Sequence, residues 1–226
     1  MSQSQILRIS FTTSRQENGA QSPGNFTIRQ RLAVNMNEEI LQFPQAYRQI
    51  DEATKLSGFT MASDVLTGAL LRTLSSSKPY GHFLELGTGT GLSTAWILDG
   101  MGSDASMTSV DNDPQLLEIA QTFLGGDKRL NLVCADGEAW IKANEGKQYD
   151  FIFADTWHGK YLLLEEVLTM VKQGGIYFVD DMLPQRNWPD GHKQKVENLV
   201  RALEARKDFT VTKQRWSTGI VIAVKK

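Results

Sequence analysis

Short apolar runs alternate with amphipathic segments over most of the chain. Consecutive runs start roughly 20 to 26 residues apart, and they lie at 83–86, 107–110, 130–134, 150–154 and 176–179. The intervening segments, such as 113–124, repeat apolar residues with the period of an α-helix. Strand, helix and strand at this interval predict right-handed crossovers and a mainly parallel sheet.

The end of the chain departs from this alternation. After a predicted helix over 192–207, two strand-like segments at 209–216 and 218–226 are joined through Ser217, Thr218 and Gly219. So short a link cannot form a crossover, and we therefore expect an antiparallel hairpin. The sequence predicts the α/β class, with one doubly wound, mainly parallel seven-stranded sheet that ends in this hairpin.

Two helices are predicted ahead of the first strand, and another between the fourth and fifth. Residues 37–56 carry a helical pattern in which Pro44 predicts a kink or break. Ser63 is predicted to cap a helix over 63–77. A longer helix is predicted over 160–175, closed by its two final glycines.

The first residues of the chain differ from the rest in composition. Residues 1–27 are rich in Gln, Ser, Asn and Gly, with only short apolar islands. We interpret 1–36 as an arm and 37–226 as a single domain. The arm is expected to be flexible, or to pack over the active site or onto a second subunit, which leaves a homodimer possible.

Composition narrows the class of protein. The chain has 226 residues, 41% hydrophobic and 22% charged, with a formal net charge of −2 and no basic stripe, so nucleic-acid binding is not expected. A single cysteine, Cys134, excludes an intrachain disulfide or a cysteine-cluster metal site. No apolar stretch approaches the roughly 18 residues of a membrane span, so no membrane association and a cytoplasmic location are expected.

Carboxylates occur at or near the end of every predicted parallel strand. Ligands of doubly wound sheets bind outside this edge, so acids gathered there indicate a site. They are Glu85, Asp111, Asp136, Asp155 and the pair Asp180 and Asp181.

A glycine-rich turn follows the first strand. Its glycines are Gly87, Gly89 and Gly91, with Leu92 where the dinucleotide fingerprint requires a glycine, and no Lys or Arg lies nearby to meet phosphates. Asp111, twenty residues beyond Gly91, is well placed to accept hydrogen bonds from a ribose diol. A nucleoside with a cationic reactive group fits this acidic edge, and S-adenosylmethionine is such a molecule.

The motifs resemble a known family. LELGTGTGLS, SVDNDP and CADGEAW are similar, in place and order, to the first three motifs of class I S-adenosylmethionine-dependent methyltransferases, and the resemblance covers roughly 55–226. FADTWHGKYLLLEEVL and GGIYFVDDM resemble the catechol and caffeoyl-coenzyme A O-methyltransferase type. The resemblance implies a Rossmann-like methyltransferase fold and methyl transfer to a hydroxyl of a small molecule.

The resemblance also implies a set of cofactor contacts. The glycine turn would surround the methionine part of the cofactor, Asp111 would hold the ribose, and Asp136 would face the adenine. The implied contacts are Met61, Ser63, Glu85, Gly87, Gly89, Gly91, Ser93, Asp111, Asn112, Asp136, Gly137, Asp155 and Trp157.

A metal site and a base are implied at the other end of the edge. Asp155, Asp180 and Asp181 would bind Mg²⁺ or Ca²⁺, which take oxygen ligands, although the family has Asn in place of Asp181. Asp155 and His158 would be the catalytic pair, with His158 standing where the catechol enzymes have a lysine base.

The acceptor pocket is expected to include Trp157, Trp188 and His192. Two alternatives stay open at this point. One is a metal-free methyltransferase acting on nitrogen, sulfur or oxygen, in which the acidic pair after the fifth strand is structural. The other is an S-adenosylmethionine-binding protein without turnover.

Overall fold

A computed structural model of the chain describes residue 40, residues 42–185 and residues 188–226. The arm predicted over 1–36 lies outside the described residues, so its role stays a prediction.

Seven helices and seven strands make up the described part of the chain. The helices are α1 Tyr47–Ser57, α2 Val65–Ser75, α3 Leu92–Gly100, α4 Pro114–Leu124, α5 Gly137–Ala143, α6 Leu164–Thr169 and α7 His192–Glu204. The strands are β1 His82–Leu86, β2 Ser106–Asp111, β3 Leu130–Cys134, β4 Tyr149–Ala154, β5 Val171–Val179, β6 Phe209–Gln214 and β7 Ile220–Lys225. Among these described helices, none combines the length and apolar character needed to cross a bilayer.

The strands form one sheet in the order β3-β2-β1-β4-β5-β7-β6. The first five run parallel, while β7 lies antiparallel between β5 and β6. The predicted doubly wound sheet with its C-terminal hairpin is confirmed. The chain order reverses between β1 and β4, and in such sheets that switch point is where a ligand crevice opens.

Alternation along the strands produces two cores, one on each face of the sheet. In β4, Phe151 and Phe153 belong to the core on one face, whereas Ile152 and Ala154 belong to the core on the other. All four side chains are fully buried. Burial of each large apolar side chain contributes about 1.5–3 kcal/mol, which fixes the register of the central strands and so the positions of their ends.

The start of α2 corrects one prediction. Asp64, not Ser63, caps this helix: its Oδ1 accepts hydrogen bonds from the amides of Leu66 at 2.8 Å and Thr67 at 3.2 Å. Both residue types are good caps, so the pattern alone could not choose between neighbours. The predicted break at Pro44 agrees with α1, which begins at Tyr47.

The helix predicted over 160–175 is also wrong in extent. Helix α6 ends at Thr169, and the residues from Val171 onward form β5. Gly174 and Gly175 therefore lie within a strand, at an irregularity in the pairing of β4 with β5. Pairing of β5 with β4 on one side and β7 on the other overrides the local helical period.

Candidate active site

The glycine turn lies between β1 and α3, at the switch point of the sheet. Gly87 has φ +103°, and a Cβ there would lie 2.9 Å from the carbonyl oxygen of Asp155. Gly89 also has a positive φ, and its amide donates to Asp111 Oδ2 at 2.7 Å. Side chains are excluded at these positions by strain and close approach, so the backbone itself faces the crevice.

Glu85 supports the turn from behind. Its carboxylate is fully buried and accepts hydrogen bonds from the hydroxyls of Ser93 at 2.6 Å, Thr94 at 2.5 Å and Ser109 at 2.5 Å. Burial raises the pKa of Glu85 to about 7, although the three hydrogen bonds oppose that rise. Glu85 therefore ties the first turn of α3 to β1 and β2. It was predicted as a cofactor contact, but it presents no exposed surface to a ligand.

Two further acids follow β2 and β3 on the same edge. Asp111 ends β2, and its second oxygen accepts from the amide of Asp113 at 3.0 Å. Asp136 caps α5 by accepting from the amide of Ala139 at 2.9 Å. Asn112 is exposed beside Asp111. The residues predicted to meet ribose and adenine are thus held in place by local backbone hydrogen bonds.

The segment before α2 reaches over the turn. Ser63 Oγ donates to Asp155 Oδ2 at 3.1 Å, and Met61 is 71% exposed. Phe59, which the sequence analysis missed, lies against Gly89: a Cβ there would sit 3.1 Å from its ring. Of these residues, Ser63 makes the direct contact with the strand edge.

Asp155, Asp180 and Asp181 form a cluster at the ends of β4 and β5. One ligand oxygen from each lies within 4.8 Å of the others. Burial raises the pKa of Asp155 to about 6, partly offset by Lys160. Burial and the nearby Asp155 carboxylate raise the pKa of Asp180 well above its usual value. Asp181 adopts a left-handed conformation, with φ +56°, that Asp tolerates better than most residues.

The acidic cluster fits a divalent cation. All its donors are carboxylate oxygens, the ligand type that Mg²⁺ and Ca²⁺ prefer. Asp180 Oδ1 is buried and has no hydrogen-bond partner among the described residues. A buried oxygen of this kind is costly unless something satisfies it.

Lys160 is the main feature that sequence analysis missed. This side chain is 5% exposed, and its Nζ lies 3.7 Å from Asp180 Oδ1. Burial lowers the pKa of Lys160, but the Asp180 and Asp155 carboxylates more than offset that effect and the net direction is upward. The loop that carries it is fixed by Tyr177, whose hydroxyl donates to the carbonyl oxygen of Gly159 at 2.5 Å.

His158, the predicted base, lies on the other side of this loop. A Cβ on Gly137 would sit 2.8 Å from His158 Nδ1, which places the ring against the first turn of α5. Its role as the base stays a prediction. Lys160 is the basic side chain that the structure shows beside Asp180.

The three residues predicted to bind the acceptor come together. Ring centroids of Trp157 and Trp188 lie 6.3 Å and 4.7 Å from that of His192. Tyr161 joins them through a contact of 3.2 Å between its hydroxyl and His192 Nε2. Beside this group, a cavity of about 290 Å³ is lined by Trp157, Tyr161 and residues of α7, but not by Trp188 or His192. Lys195 at its wall places its Nζ 3.8 Å from the Trp157 ring centroid.

This chain is similar to known proteins in both sequence and fold. Residues 84–182, which span β1 to the acidic pair, match the family model of a methyltransferase domain. Solved structures with the same architecture include the O-methyltransferase TomG from Streptomyces achromogenes in complex with S-adenosylmethionine. That match has a TM-score of 0.71 at 18% identity and covers 82% of this chain and 91% of that one. The chain has the class I methyltransferase fold.

Other matches agree with this fold. The O-methyltransferase from Bacillus cereus, in complex with S-adenosylhomocysteine, aligns with a TM-score of 0.70 at 17% identity over 83% of this chain and 93% of its own. Methyltransferase PaMTH1 of Podospora anserina, also bound to S-adenosylhomocysteine, aligns with a TM-score of 0.71 at 19% identity over 92% of this chain and 99% of its own.

Sequence relatives match over a shorter region. A protein of Mycobacterium leprae is 32% identical and one of Mycobacterium marinum is 33% identical, each over 92 residues, and each carries a provisional O-methyltransferase name. These matches cover 39% of this chain and 41% of each relative's length. The predicted fold is thus confirmed, and residues 84–182 match a methyltransferase-domain model.

Proposed function

We propose that this chain transfers the methyl group of S-adenosylmethionine to a hydroxyl group of a small molecule. One observation carries the proposal. The backbone carbonyl of Asp155 touches the glycine turn at Gly87, while its side chain belongs to the acidic cluster. A methyl donor on the turn would therefore face an acceptor at the cluster across a single residue.

The cofactor side supports a nucleoside with a cationic centre. The turn exposes backbone at Gly87 and Gly89, and Asp111 ends the neighbouring strand. A site rich in carboxylates favours binding of the positively charged sulfonium, and the cofactor already supplies the leaving group. The chain's own contribution is alignment and the exclusion of water.

The acceptor side supports a small, partly apolar molecule. Trp157, Tyr161 and His192 pack edge to face, and the adjoining cavity of about 290 Å³ is close in size to small-molecule pockets. Aromatic walls of this kind suit an acceptor with an aromatic ring that carries the hydroxyl. The names of the relatives, which specify transfer to oxygen, support the same chemistry.

Metal assistance belongs to this proposal. Asp155, Asp180 and Asp181 would hold Mg²⁺ or Ca²⁺, and such an ion would supply Lewis-acid activation of the acceptor hydroxyl. The carboxylates position that ion, and His158 would hold the proton released from the hydroxyl. The metal-free alternative, with transfer to nitrogen, sulfur or oxygen, keeps the same cofactor site and gives the acidic pair after β5 a structural role.

The test combines binding and turnover. Calorimetry should show binding of S-adenosylmethionine and S-adenosylhomocysteine but not of NAD, and labelled methyl should pass to a panel of phenolic acceptors. Turnover is then measured in excess chelator with and without added Mg²⁺. Binding of NAD instead of S-adenosylmethionine would refute the proposal. Full turnover in chelator would select the metal-free alternative.

A further inference from the structure

Lys160 is an unusual residue to find at the bottom of an acidic cluster that fits a divalent cation. Only 5% of this side chain is exposed, and that of Asp180 is 2% exposed. Their charged atoms lie 3.7 Å apart, inside the distance of an ion pair but beyond a hydrogen bond. A buried ammonium is tolerated only when anions surround it.

Lys160 offsets part of the negative charge of the cluster. Three carboxylates and one ammonium leave a formal charge of −2 when all four groups are ionised. Ser63 adds one hydroxyl donor to Asp155. Lys160 therefore supplies the single full positive charge that the described structure places among these carboxylates.

We propose that the Lys160 ammonium is a resident counter-ion, which holds the acidic cluster together without a metal and weakens its affinity for divalent cations. Two cations near the same carboxylate repel one another, so an ion that binds at Asp180 must share it with Lys160 or displace it. This proposal concerns the cluster alone and does not depend on the methyl acceptor or on turnover.

The ammonium is held by more than Asp180. Its stem belongs to the loop that Tyr177 pins through Gly159, and the ring of Tyr161 lies 5.7 Å from Nζ. The loop thus presents the charge to the ends of β4 and β5 in a fixed geometry. A lysine in a mobile surface segment would not have this effect, since it would bring its own entropy cost to each contact.

The experiment compares Mn²⁺ binding to the wild type, Lys160→Met and Lys128→Met, measured by calorimetry on the cofactor-free protein. Carboxylate sites accept Mn²⁺ as readily as Mg²⁺ or Ca²⁺. Lys160→Met should bind Mn²⁺ about 10-fold or more tightly than the wild type, because a nearby repelling charge is removed. Lys128→Met, which removes an exposed lysine in the loop before β3, is the matched control and should bind as the wild type does.

Thermal stability gives a second readout that needs no activity. At an Mn²⁺ concentration below its Kd for the wild type, the wild type should melt at nearly the same temperature in chelator and with added Mn²⁺. Lys160→Met should melt lower in chelator and regain stability with Mn²⁺, since the metal then replaces the lost cation. A purely structural role for the lysine stem would lower the melting temperature equally with and without the ion.

A third variant keeps the proposal testable if Lys160→Met does not fold. If Lys160→Met does not fold in either buffer, the double variant Lys160→Met with Asp180→Asn removes one charge of each sign and should fold. A folded double variant supports the counter-ion, and an unfolded one refutes it. Equal Mn²⁺ affinity of wild type and Lys160→Met, within about threefold, also overturns the proposal. None of these measurements requires methyl transfer, so the counter-ion proposal can be supported even if the proposed function is refuted.

Discussion

Glu85 and Asp180 are equally deep carboxylates on the same edge of the sheet, but their surroundings differ. Glu85 accepts three hydrogen bonds from hydroxyl groups of α3 and β2. Asp180 has an oxygen with no hydrogen-bond partner among the described residues, and a lysine ammonium as its nearest cation. At Glu85, both carboxylate oxygens accept hydrogen bonds within the protein, and no ligand is needed to satisfy them. The arrangement at Asp180 concentrates charge and is stabilised by a cation.

The difference separates two tasks within one crevice. The half at β1 to β3 is a rigid cradle, because local hydrogen bonds fix its carboxylates before a cofactor arrives. The half at β4 and β5 holds carboxylates that lie close together, Asp155 and Asp180, whose pKa values are raised both by burial and by a neighbouring carboxylate, as is common where chemistry occurs. Mutations should therefore affect binding in one half and turnover in the other.

The largest effect is expected for Asp180→Asn. Turnover should fall by about 100-fold or more, because removal of one preorganised charged group from a reacting centre costs about that much. Binding of S-adenosylhomocysteine, measured by calorimetry, should change by less than about threefold. Asp190→Asn, at an exposed acid in the segment after β5, is the control. Parallel losses of turnover and cofactor binding would contradict the division into two halves.

Glu85→Gln tests the half at β1 to β3 through the pH dependence of the free energy of unfolding. Burial raises the pKa of Glu85 from 4.5 to about 7, so the folded state binds this proton more tightly than the unfolded state. Its contribution to stability is greatest below 4.5 and is lost as the pH rises towards 7, a change of about 3 kcal/mol in the free energy of unfolding. Urea denaturation across this range should show that loss in the wild type.

The glutamine variant should lack this part of the pH dependence. Its stability relative to the wild type should therefore increase with pH over the same interval. Glu52→Gln, at an exposed position of α1, should follow the wild type throughout. A difference between Glu85→Gln and wild type that stays constant with pH would show that Glu85 is ionised at all these values.

Asp111→Ala should weaken cofactor binding without a matching loss of turnover at saturation. The loss of a charged acceptor costs about 1.5–3 kcal/mol, or about 10- to 100-fold in affinity. Part of this loss reflects the freed amide of Gly89, and part reflects the proposed contact to the ribose. Asp104→Ala, an exposed acid ahead of β2, serves as the control. Unchanged affinity for S-adenosylmethionine would remove Asp111 from the cofactor site.

The smallest effects should come from a pair of serines. Ser63→Ala removes one hydrogen bond to Asp155, and Ser93→Ala removes one to Glu85, each worth about 1 kcal/mol. The first should lower turnover a few-fold with little change in melting temperature. The second should lower the melting temperature with little change in the turnover rate at saturation. If both variants changed turnover and melting temperature in the same way, the division into two halves would be contradicted.

The sequence predicts the fold and the acidic edge well because both follow from short-range pattern. The parallel strands and the hairpin follow from spacing and link length, and Asp155 and Asp180 are adjacent to strands that the apolar runs identify. Lys160 could not be found in this way. The sequence places it in a segment with helical periodicity, and its burial depends on carboxylates at the ends of two separate strands.

The two incorrect predictions, the cap of α2 and the helix that was predicted to extend into β5, have the same origin. Ser63 and Asp64 are equivalent as local caps, and the choice is made by Asp155, to which the Ser63 hydroxyl donates from 92 residues away. Residues after Thr169 continue a helical pattern, yet two neighbouring strands recruit them into the sheet. In each case a contact distant in sequence decides between local options of similar energy.

The turn between β6 and β7 bears on the order in which the two halves of the candidate active site form. Thr218 accepts a hydrogen bond from the Asp181 amide with its hydroxyl and one from the Leu183 amide with its carbonyl, and Gly219 accepts one from the amide of Met182. The hydrogen bonds of the Glu85 side chain span at most 24 residues, whereas the acidic cluster depends on hydrogen-bond partners 37 and 92 residues apart. Closure of longer loops costs more entropy. During synthesis on the ribosome, the cofactor cradle can form while the chain is still emerging. The concentrated charge of the acidic cluster is completed only after β7 has inserted beside β5.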